Sequence, residues 1–254
     1  MNKISLVSIY RSNMFEYTCD DNTVLKTLEK AIKKEANLSY VDLNYAKLIK
    51  ADLVNARLNG ANLISASLNY ANLTGAKLVN ARLNGANLTG AKLIDANFTS
   101  ANLTNVNLAC ANLINVNFTS ANLTGANLTD ADLRGVNLKN VNLTGANLRG
   151  ADLTNANLEE ADLINCELTN ANLTNANLIN AKTTNAKLPI YSKWSFSIGN
   201  DNLNIGCKTK TFSEWKEWFE ESEEEFSTER NTEDFKRIQA MFYAYEAYYN
   251  FLNK

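Results

Sequence analysis

The sequence predicts an all-β solenoid: a square β-helix about eight coils tall, with a small N-terminal helical cap and an α/β cap at its C-terminal end. Three observations carry that prediction. A five-residue period runs in one register from Ala36 to about Ile190, leucine fills the third place of almost every unit, and the texture of the chain changes on both sides of the run. The boundaries that follow are 1–35 for the N-terminal cap of short strands plus a helix, 36–190 for the solenoid, and 191–254 for the C-terminal cap, a hairpin followed by two helices.

Aligned as Ala-Asn-Leu-x-x, the third position is Leu at 43, 48, 53, 58 and onward to 188, except at Phe98, Phe118 and Thr183. Two residues earlier stands Ala in most units, replaced by Val at 41, 106, 116, 136 and 141 and by Cys166. A period of five matches neither the 3.6 of an amphipathic helix nor the 2.0 of a flat strand, so the chain must bend every five residues. Two apolar positions flanking one polar position describe a three-residue strand with two side chains in and one out. The other two residues turn the corner. The second of them is often Gly, Asn or Asp, as at Gly60, Gly75, Gly85, Gly145, Asn165 and Asn175, which tolerate positive φ and predict type II turns.

Four such sides close one coil of 20 residues, and the coils stack at the strand spacing, giving a shaft about 37 Å long. The interior becomes columns of leucine, with Leu43, Leu63, Leu83, Leu103, Leu123, Leu143 and Leu163 as core residues. Phe98 and Phe118 are 20 residues apart and are expected to stack in adjacent coils.

This pattern resembles the pentapeptide-repeat family, whose consensus A-(D/N)-L-x-x is met almost unit by unit over about three fifths of the chain. The resemblance implies a right-handed quadrilateral solenoid; the hand does not follow from spacing. It also implies a possible relation to those members that imitate duplex DNA in width and charge, bind type II topoisomerases and protect them from quinolones.

A solenoid exposes backbone and leucine at its ends unless they are covered. Residues 4–19 read as one or two short strands, and 23–35 place Val24, Leu25, Leu28, Ala31 and Ile32 on one helical face. At the other end Thr183 breaks the leucine column and Pro189 follows. Residues 194–198 and 203–207 flank Gly-Asn-Asp-Asn as a hairpin, and Thr211 to Glu214 form a capping box for a helix carrying Trp215, Trp218 and Phe219. A last helix from about Thr232 carries Phe235, Ile238, Phe242, Tyr245, Tyr249 and Leu252. This tail, with its run IGCKTKT, resembles the C-terminal segment of pentapeptide-repeat proteins often encoded by bacteriophages, which implies a phage or prophage origin and no particular activity.

Composition narrows the function. The chain has no histidine, so imidazole catalysis, Ser-His and Cys-His nucleophiles and His-ligated zinc are excluded. Cys19, Cys110, Cys166 and Cys207 form no CxxC pair; reduced thiols and a cytoplasmic location are expected, with Cys110 at an exposed corner and Cys166 in the core. The first residues lack the length and cleavage site of a signal peptide, so the chain is read as unprocessed, and no run is apolar enough to span a bilayer. A net charge of −2 argues against direct nucleic-acid binding. No enzyme activity, cofactor or metal is expected.

Charge does separate along the shaft. Residues 36–95 carry six bases and three acids, whereas 126–170 carry seven acids against Arg134, Lys139 and Arg149. From the acidic stretch come the partner-binding candidates Asp130, Asp132, Asp152, Glu160 and Asp162. Asp132 and Asp152 should stack one strand spacing apart, with Asp130 and Arg149 at the neighbouring corner; they read either as a cation-binding or phosphate-like patch or as a solvated corner held by Arg149 and Arg134. The asparagines at 97, 117, 137, 157 and 177 read either as a self-satisfying amide ladder or as a display surface. The expected function is a non-enzymatic protein-interaction module. The alternatives are a partial DNA mimic acting on a topoisomerase or other DNA-processing enzyme, and an assembly protein that forms a homodimer through its C-terminal cap.

Overall fold

A computed structural model of the chain describes residues 2–10, 13–19, 23–187, 196–199, 202–205, 208–221, 239 and 242–243. From Asp42 to Lys187 the backbone is held by parallel β-bridges between residues 20 apart, beginning with Asp42↔Asn62 and ending with Glu167↔Lys187. Bridges occur at every fifth residue, so four five-residue sides make each coil and the coil is square.

Leu and Ala face inward because they are the two positions on the same side of each short strand. Leu43, Leu63, Leu83, Leu103, Leu123, Leu143 and Leu163 are all buried, as are the alanines beside them. The rings of Phe98 and Phe118 stack at 5.3 Å between centroids with 28° between planes. At every corner from Glu35 to Asn185 the fifth residue has φ between +53° and +69°, and from Tyr40 onward the next residue's N–H donates to the third-position carbonyl three back, as in Ala46 N to Leu43 O at 3.1 Å. These are type II turns. They extend beyond the Gly and Asn corners to Tyr40, Tyr45, Lys50, Cys110 and Glu160, because stacking forces one geometry on every corner of a column.

The unit Val116–Ser120 shows where the backbone donors go. Val116 N–H donates to Leu113 O (3.1 Å), Asn117 N–H to Ala96 O (3.0 Å), Phe118 N–H to Asn137 O (2.8 Å) and Ser120 N–H to Lys139 O (3.1 Å). The fifth donor, Thr119 N–H, has no backbone acceptor and is taken by the side-chain Oδ1 of Asn117 at 2.9 Å, which also accepts the Thr119 hydroxyl at 2.6 Å. This Asx turn recurs at Asn72, Asn87, Asn97, Asn102, Asn122 and Asn127. It accounts for Asn or Asp in the second place and Thr in the fourth.

At the N-terminus, β1 (Asn2–Val7) and β2 (Asn13–Cys19) form an antiparallel hairpin, and α1 spans Val24–Lys33. Asp42 N–H donates to Val7 O at 2.8 Å and Ile9 N–H to Tyr40 O at 2.8 Å, so β1 and the residues after it pair with the open edge of the first coil. In α1, Thr23 Oγ1 accepts from Lys26 N–H at 3.1 Å as N-cap. Ala36 N–H to Ala31 O and Glu35 N–H to Ile32 O make a Schellman ending, so Glu35 in the left-handed region both closes the helix and turns the first corner. Leu28 and Ala31 are buried in the shaft's core and Leu25 and Ile32 partly so. Val24 departs from the expected apolar face: it is exposed, whereas Thr27 is buried.

At the C-terminal end β3 (Phe196–Gly199), β4 (Asn202–Ile205) and β5 (Lys208–Thr211) form an antiparallel sheet in chain order, followed by α2 (Phe212–Glu221). The third strand adds to the expected hairpin. The capping box forms: Glu214 N–H donates to Thr211 Oγ1 at 3.2 Å while the Glu214 carboxylate accepts Thr211 N–H at 2.7 Å. Trp215, Trp218, Phe219 and Phe242 are buried with ring centroids 5.0–5.9 Å apart. Pro189, Trp194, Cys207 and most of the expected last helix, including Phe235, Ile238, Tyr245, Tyr249 and Leu252, lie outside the described residues. No helix among the described residues is long and apolar enough to cross a membrane.

Candidate functional site

The 20-residue register decides which candidates meet. Asp132 and Asp152 are bridge partners in one column, which continues to Asn172. Asp130 is exposed at the corner where that column's side begins, two residues before Asp132. Asp162 belongs to the column of Asn142 and Lys182. That column is ten residues, half a coil, away from Asp152, so Asp162 and the corner residue Glu160 lie on the opposite side of the shaft. The five carboxylates are therefore two groups and not one patch.

Each acidic column residue also serves the backbone. Asp152 Oδ1 accepts from Thr154 N–H (3.0 Å) and Thr154 Oγ1 (2.5 Å), with Asn172 Nδ2 at 3.3 Å. Asp162 Oδ1 accepts from Ile164 N–H at 3.1 Å and Thr144 Oγ1 at 3.2 Å. Asp132 accepts from Arg134 N–H at 3.4 Å. These are the bonds that Asn makes elsewhere, so aspartate here adds charge without changing the corner.

Arg134 holds the first group together. Its Nε and Nη2 donate to Asp132 at 2.8 and 2.7 Å, and its Nε lies 3.9 Å from Asp152 Oδ2. Those side-chain hydrogen bonds hold the Asp132 carboxyl below the usual carboxylate range and raise the guanidinium. Arg149 does not share in this: it sits at the Asp130 corner one coil along, where its carbonyl accepts Asp130 N–H at 2.9 Å, but among the described residues its guanidinium has no ionic partner. On other sides Lys139 pairs with Glu159 at 2.9 Å and Lys187 with Glu167 at 2.8 Å; the Lys187 bond and that from Thr169 lower the Glu167 carboxyl.

The asparagine column from Asn97 to Asn177 forms as bridges, yet its Oδ1 atoms are turned into their own corners. A cross-coil amide bond in this column joins Asn177 Nδ2 to Asn157 Oδ1 at 3.2 Å. The ladder is thus mainly a row of corner acceptors, and amide stacking is secondary. Cys110 is exposed at a corner, and Cys166 is buried with its Sγ donating to Leu143 O; burial pushes the Cys166 thiol up to about 12.

Sequence reasoning passed over the aromatic corners. Tyr40, Tyr45 and Tyr70 occupy fifth positions, where the rest of the described shaft carries Gly, Asn, Ser, Cys110 or a charged residue, and they are 47%, 71% and 61% exposed. The Tyr70 ring lies over Gly90 and the Tyr40 ring over Gly60, each filling the space a Cβ would need on the next coil. The signal was an aromatic residue in a place that demands positive φ.

A family model described as pentapeptide repeats matches this chain in eight copies, over residues 36–69, 66–105, 81–119, 96–135, 111–150 and 151–188. None of the curated proteins matches it. Among solved structures, HetL, a pentapeptide repeat protein involved in heterocyst differentiation regulation from the cyanobacterium Nostoc sp. strain PCC 7120, is 30% identical over 59% of this chain and 84% of its own, with a TM-score of 0.34. Rfr23, a pentapeptide repeat protein of the cyanobacterium Cyanothece 51142, is 36% identical over 41% of this chain and 65% of its own, with a TM-score of 0.30. QnrB1, a plasmid-mediated fluoroquinolone resistance protein, is 16% identical over 59% of this chain and 83% of its own, with a TM-score of 0.29.

Proposed function

This chain belongs to the pentapeptide-repeat family, and from that premise we propose that it is a non-enzymatic interaction protein whose shaft presents a preformed surface to a protein partner. The observation that supports this most is the hydrogen-bond inventory of the repeat. In the Val116–Ser120 unit all five N–H groups are satisfied within the shaft, so the outer faces are rigid before any partner arrives. A surface already ordered loses little conformational entropy on binding. If the tail's likeness to phage-encoded members holds, the partner is a host protein and the chain its inhibitor or modulator.

The second reading is partial DNA mimicry by the acidic half, acting on a topoisomerase or another DNA-processing enzyme. The stacking of Asp132 on Asp152 beside Asp130 favours it. Against it stand the bidentate Arg134–Asp132 pair and a solenoid that balances ten acids with eleven bases over 36–190.

The test is affinity capture from bacterial lysate at physiological salt, with the wild type beside two variants: Asp130→Asn with Asp132→Asn and Asp152→Asn, and Glu160→Gln with Asp162→Asn. Asparagine keeps the corner acceptor, so both variants should fold. The interaction reading expects a protein that rebinds the purified chain stoichiometrically. Loss in the first variant alone, with a DNA-handling enzyme as the captured protein, supports mimicry. Turnover of any substrate by the purified chain, abolished by a point change, overturns the non-enzymatic reading.

A further inference from the structure

The surface at the N-terminal end of the shaft differs from the rest in three respects that coincide on one side. The first is exposed apolar area. Tyr45, Ile49 and Tyr70 are 71%, 49% and 61% exposed, and the register places them together. Tyr45 and Lys50 are the two corners of one side in the first coil, Ile49 lies between them, and Tyr70 is the corner one coil along from Lys50, whose N–H donates to Asn69 O at 2.9 Å.

The second is backbone conformation. Tyr45, Lys50 and Tyr70 have φ of 56°, 58° and 58°, a region costly for bulky side chains. Further along the same two corner columns stand Ser65, Gly85, Asn105 and Gly125, and Gly90 and Cys110. The fold demands the left-handed conformation at these corners but does not demand tyrosine. Tyr70 covers Gly90 of the next coil, yet both tyrosines stay mostly exposed at a position that strains the backbone, and such sites cluster where a protein binds something.

The third is charge. Lys47 and Lys50 lie on this side and Lys92 lies across the Tyr70 corner, on the next side, in the column that runs Asp52, Asn72, Lys92; all three lysines are exposed, and none has an ionic partner among the described residues. The outward column of this side runs Lys47, Ser67, Asn87, Asn107, Asn127 and Asn147 before its first carboxylate, Glu167, and the Lys50–Tyr70 corner column reaches its first carboxylate at Asp130, three coils beyond Tyr70. An apolar centre of two ring faces and an isoleucine, rimmed by unpaired cations, is complementary to one chemistry: apolar side chains flanked by carboxylates.

We propose that Tyr45, Ile49 and Tyr70, rimmed by Lys47, Lys50 and Lys92, form the docking site for an acidic amphipathic segment of a partner protein. This deepens the interaction reading and rests on it, and it moves the contact from the acidic half to the basic end. The tyrosines supply the buried anchors typical of protein interfaces, and the lysines steer and orient the acidic segment.

The test pans a displayed random-peptide library against the immobilised full chain and measures the enriched peptides as free peptides. Tyr45→Asn with Tyr70→Asn is the main variant, because asparagine is what many other corners carry and tolerates positive φ; retained cooperative unfolding confirms its fold. The expected result is a consensus combining Asp or Glu with Leu, Ile or an aromatic residue. Its affinity should fall about tenfold or more in the tyrosine variant, as for a hot-spot loss. It should also weaken in Lys47→Asn with Lys50→Asn and in salt near ~0.5 M. Enriched peptides that are not acidic, or that bind the tyrosine variant unchanged, overturn the site. If those peptides instead lose binding to the Asp130→Asn, Asp132→Asn, Asp152→Asn variant, this site fails and the interaction reading stands. Failure to enrich any peptide counts against this site, while capture of a protein from lysate would still uphold the broader reading. Tyrosine-dependent binding of a single-stranded oligothymidylate, with no peptide bound there, overturns the choice of a protein occupant.

Discussion

Asn117 accepts both the amide of Thr119 at 2.9 Å and its hydroxyl at 2.6 Å, and so takes the donor that the solenoid's backbone leaves over in that unit. Replacing Asn117 by Ala leaves the Thr119 amide to water in a half-buried position and should cost about 1 kcal/mol, with Asn117→Asp nearly neutral near pH 7. Urea unfolding midpoints of the two variants check this. Equal loss in both would show that the carboxamide matters for some other contact.

The converse change should stabilise. Lys92 stands in the second place of its unit, and among the described residues no side-chain oxygen accepts from Ile94 N–H. Lys92→Asn supplies that acceptor and should raise stability by about 0.5–1 kcal/mol, the usual net worth of one hydrogen bond. The same substitution removes a cation from the docking rim, so stability and peptide affinity should move in opposite directions.

Phe98 and Phe118 are buried and stacked at 5.3 Å in neighbouring coils. Either Phe→Ala change opens a cavity mid-shaft and should cost about 3–5 kcal/mol; Phe→Leu, the residue of the other units, should cost much less. Because they touch, the two losses should be non-additive in a double-mutant cycle.

Acid should weaken the shaft through particular pairs. Arg134 holds the folded-state pKa of Asp132 below its ordinary 3.8, and Lys187 with Thr169 does the same for Glu167 below 4.5. For a depressed carboxylate the stabilisation is complete above the unfolded value and is lost as pH falls through the folded one. Arg134→Gln should therefore lower stability near pH 7 and converge with the wild type as pH falls through the folded-state pKa of Asp132, giving a flatter decline in acid, read from urea midpoints from pH 7 downward.

Thiol labelling should separate the cysteines. In a background with Cys19 and Cys207 changed to Ser, Cys110 should react in the native state, whereas Cys166, with its thiol pushed up to about 12 by burial, should react only on unfolding.

The shaft was legible because one interval repeats. Leucine every five residues told which side chains point in, four such sides made a coil of 20, and the spacing of Phe98 and Phe118 agreed with it. The same arithmetic separates Asp162 from Asp152, but grouping charges by distance along the chain hides it, since ten residues apart means opposite sides. The role of asparagine was not readable: a display ladder and a row of corner acceptors require the same residue at the same interval, and Oδ1 geometry distinguishes them. Tyr45 and Tyr70 were missed for a related reason. Propensity rules predict positive φ from Gly and Asn, whereas here stacking imposes it on any residue in a corner column, and only with that known does a tyrosine there look costly.

The central claim is that second-position asparagine is structural, leaving binding to the few corners and sides that depart from it. Residue-resolved amide hydrogen exchange tests it most directly. The account predicts slow exchange at the fourth-position amides of Thr99, Thr104, Thr119 and Thr124, which have an asparagine acceptor, and faster exchange at Asn84 and Ile94, whose units carry Arg82 and Lys92 in its place. Equal protection in both sets would contradict it and return the asparagine faces to the candidates for a binding surface.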